Sequence, residues 1–214
     1  MIRFARTRRL SALAGLALLS ACANSGKAPP PLTDISAREC AAAPDLSKAV
    51  PLAFDGKKET VQTADIADTT PCMKSAAGAA LYVAYVLPRS DIPYVIAVAS
   101  PALGMTLFAP HVMLLASDGT VRRDYAGKQV EFRGAGLGVQ VRNHADETYL
   151  VVASDPASVG GTTSRINEAT HVNYGSTGYA TYQIHTGSES QDTYTYAHNG
   201  RVTVTLTLIE PAKK

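Results

Sequence analysis

The chain has 214 residues, 20 Lys+Arg against 18 Asp+Glu, 46% hydrophobic residues and no Trp. The first segment holds four arginines and no acid, so the remainder is weakly acidic. That balance excludes the electrostatic footprint of a nucleic-acid binder, and the length suits one domain with a sizeable core.

Residues 1–21 read as a lipoprotein signal peptide. Arg3, Arg6, Arg8 and Arg9 form a basic start, and an uncharged apolar run follows over 10–19. That run is shorter than the roughly 20 residues a membrane-spanning helix needs. It has the layout of a cleaved secretory signal. The small residues Leu19-Ser20-Ala21 then lead into Cys22. A cysteine at this place takes a diacylglycerol on sulfur. Several buried acyl chains, at ~0.8 kcal/mol per CH2, give stable anchoring. The expected partner is therefore the membrane, through Cys22. Ala23, where an Asp would favour retention at the inner membrane, points to the periplasmic face of the outer membrane.

Residues 22–45 are expected to form the lipidated Cys and a flexible tether, with small polar residues before Pro29-Pro30-Pro31. Cys40 and Cys72 are an even pair in an oxidising compartment and favour a disulfide. Closing a loop of about 30 residues is worth ~3 kcal/mol in the chain-entropy account. Two unpaired thiols are the alternative. No CxxC or Cys/His pair suggests a metal.

Residues 46–214 are expected to fold as one domain. A short turn fits 44–50. Strands are predicted over 79–87, 94–99 and 111–116, with Asp118-Gly119 as a hairpin signal into 120–125. Shorter candidates follow at 130–133 and 138–142, then a clear strand at 148–153. A helix-like opening at Asp155-Pro156 is broken by Gly160-Gly161. The final strand, 202–208, alternates apolar residues with Thr, as a strand with one buried and one wet face must. Short strands with turn signals about every ten residues argue an all-β fold, a single antiparallel β-sandwich of jelly-roll or Ig-like type. An open barrel is the alternative.

The stretch from about Pro88 to Ser164 resembles the maltose operon periplasmic protein (MalM) family. The resemblance is carried by Thr106-Leu107-Phe108-Ala109-Pro110-His111-Val112-Met113-Leu114-Leu115, by Tyr149-Leu150-Val151-Val152 with Thr162-Thr163, and by the strand from Gly200 to Leu208. It implies a periplasmic, β-rich accessory protein linked to maltodextrin uptake, with no established enzymatic activity and no motif-defined binding residues. The lipobox, the Cys40/Cys72 pair and the Tyr-rich segment after Tyr174 depart from that family. A shared scaffold does not transmit a binding site.

No catalytic residue, metal or cofactor is expected. Tyr174-Gly175-Ser176-Thr177-Gly178 sets its Ser one place too early for a nucleophile elbow. His111, His144, His171, His185 and His198 lack metal-ligand spacing, although His144 and Asp146 share a face if extended. The glycines of 134–138 read as a flexible hairpin connection. Asp124, Glu131, Asp146 and Glu147 are available as paired carboxylates for glycoside hydrolysis, but surface charges explain them equally. Residues 171–198 hold Tyr174, Tyr179, Tyr182, Tyr194 and Tyr196, half of the ten Tyr, among small polar residues. Such a mixture suits a recognition surface for a protein or glycan. The alternative is an ordinary hairpin, with strands at 177–184 and 193–196 around a turn at 187–190. The function expected is a non-enzymatic, outer-membrane-anchored accessory lipoprotein that binds a protein or other envelope component. A maltodextrin-binding module stands second and an unrecognised enzyme third.

Overall fold

The computed structural model describes residues 32–134 and 136–209; the segment expected to be a signal peptide, Cys22 and the triple proline lie outside them. In chain order the strands are β1 (Val50–Pro51), β2 (Glu59–Ile66), β3 (Cys72–Ser75), β4 (Gly78–Val86) and β5 (Tyr94–Pro101). Then come β6 (Thr106–Phe108), β7 (Pro110–Leu115), β8 (Val121–Tyr125), β9 (Glu131–Arg133) and β10 (Gly136–Arg142). The last four are β11 (Tyr149–Ser154), β12 (Thr162–Ser176), β13 (Thr181–Ala197) and β14 (Gly200–Leu208). One sheet runs β1-β4-β11-β7-β8 with β3 added to β4, and a second runs β2-β14-β5-β10-β9. A third joins β12, β13 and β6. The protein is an all-β sandwich, and its strand pairs are antiparallel apart from β1 with β4 and β13 with β6.

The sequence patterns follow from what each strand faces. In the second sheet, Val202, Val204 and Leu206 of β14 point inward with Tyr94, Ile96 and Val98 of β5, while the intervening threonines of β14 are only partly buried. That sheet has one dry face, so its strands alternate. In the first sheet, Leu150 and Val152 join the core between the sheets, whereas Val151 and Ala153 join a second apolar cluster on the opposite face. Buried on both sides, β11 reads as a continuous apolar run, as do β4 and β7. The outer cluster also contains Met73, Tyr82, Met113 and Leu115, and Leu46 and Ala49 pack against it.

The segment carrying that cover enters the fold earlier than the sequence suggests. Within the tether expected to run to residue 45, Ile35 is 2% exposed and lies in the main core, and Cys40 is buried there too, while most residues between and after them stay exposed. Cys40 and Cys72 are disulfide-bonded, which ties this segment to β3. Ala41 continues the contact, donating to the Cys72 carbonyl and accepting from the Lys74 N–H. The Asp45 N–H then donates to the Tyr82 hydroxyl at 2.7 Å, and the Asp45 carboxylate caps a 3-10 turn at Leu46–Lys48.

Two local expectations need correction. Of the glycines read as a hairpin connection, Gly136 and Gly138 lie inside β10, where a Cβ would collide with the Ser100 and Val98 carbonyl oxygens of β5. They permit close backbone approach instead of flexibility. The turn expected at 187–190 is mid-strand; the chain reverses at Thr177–Ala180, where the Thr177 N–H donates to the Ala180 carbonyl at 3.0 Å and Gly178 takes a positive φ of 86°. Replacing both Cys40 and Cys72 by Ser is expected to lower the unfolding free energy by about 3 kcal/mol. A shift of the denaturant midpoint to lower concentration measures it, with a larger m-value because the uncrosslinked unfolded chain exposes more surface.

Candidate functional site: a projecting hairpin arm and a loop-end groove

β12 and β13 pair without a register slip from Thr162↔Thr195 to Ser176↔Thr181. Only the root of this hairpin is tied to another strand, where Thr195, Tyr196 and Ala197 pair with Thr106, Leu107 and Phe108 of β6. Among the described residues no further strand pairs with the hairpin. From the Arg165↔Asp192 pair to the turn it stands away from the sandwich as an arm roughly 40 Å long, at ~3.3 Å per residue.

The five tyrosines of this segment separate into two groups. Tyr194 and Tyr196 are half-buried and pack at the root with Leu107, Val130 and Leu137; the Tyr194 ring lies 6.3 Å from that of Phe132. Tyr174, Tyr179 and Tyr182 lie on the outer part, with Tyr174 79% exposed and Tyr179 fully so. Directly opposed residues of an antiparallel pair share a face. Tyr182 opposes Gly175, and its ring occupies the space a side chain at 175 would take. Tyr174 opposes Gln183, so it projects from the other face, where its hydroxyl accepts from Gln183 Nε2 at 3.4 Å. The outer arm also exposes Ile166, Val172 and Ile184, which the sequence reading passed over. Ile166, Val172 and Tyr174 occupy alternate positions of β12 and form a stripe on one face.

A second feature is a polar groove of about 870 Å3 at one end of the sandwich. It is bordered by the loops after β4, β7 and β10, and Arg89, Asp91, Asn143 and His144 contribute to it. Glu147, one of its lining residues, is held by a bidentate ion pair, with Arg123 Nε donating to Glu147 Oε1 at 2.6 Å and Nη2 to Oε2 at 2.8 Å. The Glu147 carboxylate also accepts from the His144 N–H at 2.9 Å, and its side chain is fully buried. Glu147 is thus an internal brace, which corrects its reading as a surface charge. Asp146 stays at the rim, 3.5 Å from Arg122, and Asp124 lies 3.4 Å from His111. Tyr94 underlies the groove with its hydroxyl on the Pro88 carbonyl; burial, helped by the Glu147 charge, pushes its titration up to about 12.

One Ser–His contact has the form of a catalytic pair, with Ser154 Oγ 2.8 Å from His198 Nδ1. Ser154 is 0% exposed, and its hydroxyl already accepts the Leu81 N–H at 3.1 Å. The same oxygen shares a proton with His198 Nδ1, in a direction set by the imidazole tautomer. This is a structural bond that satisfies the backbone of β4. Among the described residues no group of three or more His, Cys, Asp or Glu is placed to hold a metal ion.

Two outcomes follow from these groups. Arg123→Met leaves the Glu147 carboxylate buried without its counter-charge and is expected to cost about 3 kcal/mol. Arg123→Met combined with Glu147→Leu should cost less than the single change; chemical denaturation of the two variants compares them. Burial holds His198 below its ordinary value of 6.5, against an opposing pull from Asp34. The unfolded chain therefore takes up that proton at higher pH than the folded one. The stabilisation from His198 is complete above about 6.5 and declines as pH falls through that value. Thermal melts between pH 8 and 5 should show a shallower acid-side loss in His198→Gln than in the parent.

Compared with protein-family models, with curated proteins and with solved structures, the chain matches none.

Proposed function

We propose that this chain is a non-enzymatic accessory lipoprotein of the cell envelope, anchored through Cys22 at the periplasmic face of the outer membrane, that binds a protein through its projecting arm. The observation that carries this reading is the arm itself. It extends far beyond the sandwich and displays Ile166, Val172, Tyr174, Tyr179, Tyr182 and Ile184 to solvent. Apolar and aromatic groups gathered on an exposed element are suited to contact. Their uncharged polar neighbours can pair with another backbone or with side-chain amides. The lipobox motif supports the anchor, and the triple proline after it supports a spacer that lifts the domain from the lipid.

Maltodextrin binding is the second reading, and the polar groove favours it. The groove offers Arg89, Asp91, Asn143 and His144 for hydroxyl contacts. Its aromatic residue, Tyr94, is buried against Phe54 at 5.4 Å between ring centroids and offers no stacking face.

Metabolic labelling with palmitate should mark the parent chain and leave Cys22→Ser unlabelled. Cross-linking in intact envelopes should trap a protein on the parent, with at least tenfold lower yield for the combined Tyr174→Ala, Tyr179→Ala and Tyr182→Ala variant. Equal yields would remove the arm from the interaction. Saturable maltodextrin binding by calorimetry, abolished by Asn143→Ala and retained by the triple Tyr variant, would favour the groove instead.

A further inference from the structure

We infer that the partner of the arm is a second copy of this chain, joined by antiparallel pairing of β12 with β12 across a two-fold axis near Thr170. This rests on the reading of the arm as a protein-binding element and names what it binds. A two-stranded ribbon is marginally stable alone in water, and three or more strands with an apolar face are needed for independent stability. The outer arm has two strands and exposed apolar groups on both faces. Two arms side by side make a four-stranded sheet, which meets the requirement without any other protein.

The edge of β12 lacks the devices that keep edge strands apart. Natural edges carry lysine, proline or a bulge, or are short. Between residues 157 and 210 the sequence has no lysine and no proline, and the ladder of the arm has no register shift. Residues 166–176 carry a single formal charge, so two copies meet with little like-charge repulsion. A two-fold axis perpendicular to the sheet keeps each face with its equivalent. With the axis at Thr170, Ile166 of one copy opposes Tyr174 of the other on the same face. On that face Val172 of each copy opposes Glu168 of the other and Thr170 meets Thr170, so the shared face has an Ile166–Tyr174 pair at each end and a polar centre. This register also overlaps almost the whole free length of each arm, because Thr170 lies near the middle of the stretch beyond Arg165.

The test uses the full chain, co-expressed as two differently tagged copies and extracted in mild detergent. The tags are expected to co-purify. Thr170→Cys should form a covalent pair on a non-reducing gel, at least tenfold more than Tyr179→Cys, whose tips point apart in this arrangement. Adding Ile166→Lys and Tyr174→Lys, exposed positions that oppose each other across the axis, should abolish co-purification and the Thr170 cross-link while leaving the thermal melt of the sandwich unchanged. Failure of the tags to co-purify, or co-purification without the Thr170 cross-link, overturns the pairing. If the arm then cross-links to other envelope proteins, only this inference falls. If it cross-links to nothing, the protein-binding role of the arm falls with it.

Discussion

The two-sided burial of β11 is the constraint on which the rest of the sandwich depends. A central strand whose two faces are both dry needs a layer on each side. One layer is the second sheet, reached by Leu150 and Val152. The other is a short piece of chain before β1 that supplies Leu46 and Ala49 over Val151, Ala153 and Met113. So small a cover has little burial of its own to hold it. It is fastened covalently by Cys40–Cys72, by the Tyr82 hydroxyl on the Asp45 N–H, and by Ile35 inserted into the main core. The disulfide therefore does more than restrict the unfolded chain; it holds the lid of a core that would otherwise be open to water on one face.

The sandwich and the arm obey opposite rules. Inside the sandwich, Glu147 and Ser154 have partners of complementary chemistry, whereas Tyr85 Oη and Ser100 Oγ are buried without one among the described residues. The paired groups avoid the cost of leaving a buried polar group unpaired. On the arm, large apolar side chains face solvent and the strand edges are unguarded. The root joins the two regimes. Tyr194 and Tyr196 wedge against Leu107, Val130 and Leu137, and pairing with β6 fixes the direction in which the arm leaves. An arm aimed by a rigid root can present the same surface repeatedly, which loosely tethered strands could not do.

Legibility from the amino acids tracked burial. β4, β5, β7, β11 and β14 were readable because buried strands must carry apolar residues, in runs where both faces are dry and in alternation where one is. β2 was missed because it is an edge strand of largely exposed polar residues, Glu59 to Ile66, and has no such signature. β12 was missed for the same reason. The hairpin turn was misplaced because Gly187-Ser188 and Thr177-Gly178 are equally good turn sequences; the unbroken ladder from Thr162 to Ser176 selects the second.

Local chemistry in the sequence was enough to favour the pairing of Cys40 with Cys72 and to determine the all-β class and the concentration of tyrosine in one segment. Each is written in neighbouring residues or in a count. The tertiary structure alone decided that Glu147 is internal, that Ser154 and His198 meet, that Gly136 and Gly138 lie against the β5 backbone, and that the tyrosines divide between a packed root and an exposed arm. These facts depend on residues brought together from distant parts of the chain. Identical side chains such as Tyr174 and Tyr196 carry no local mark of which one the fold will cover.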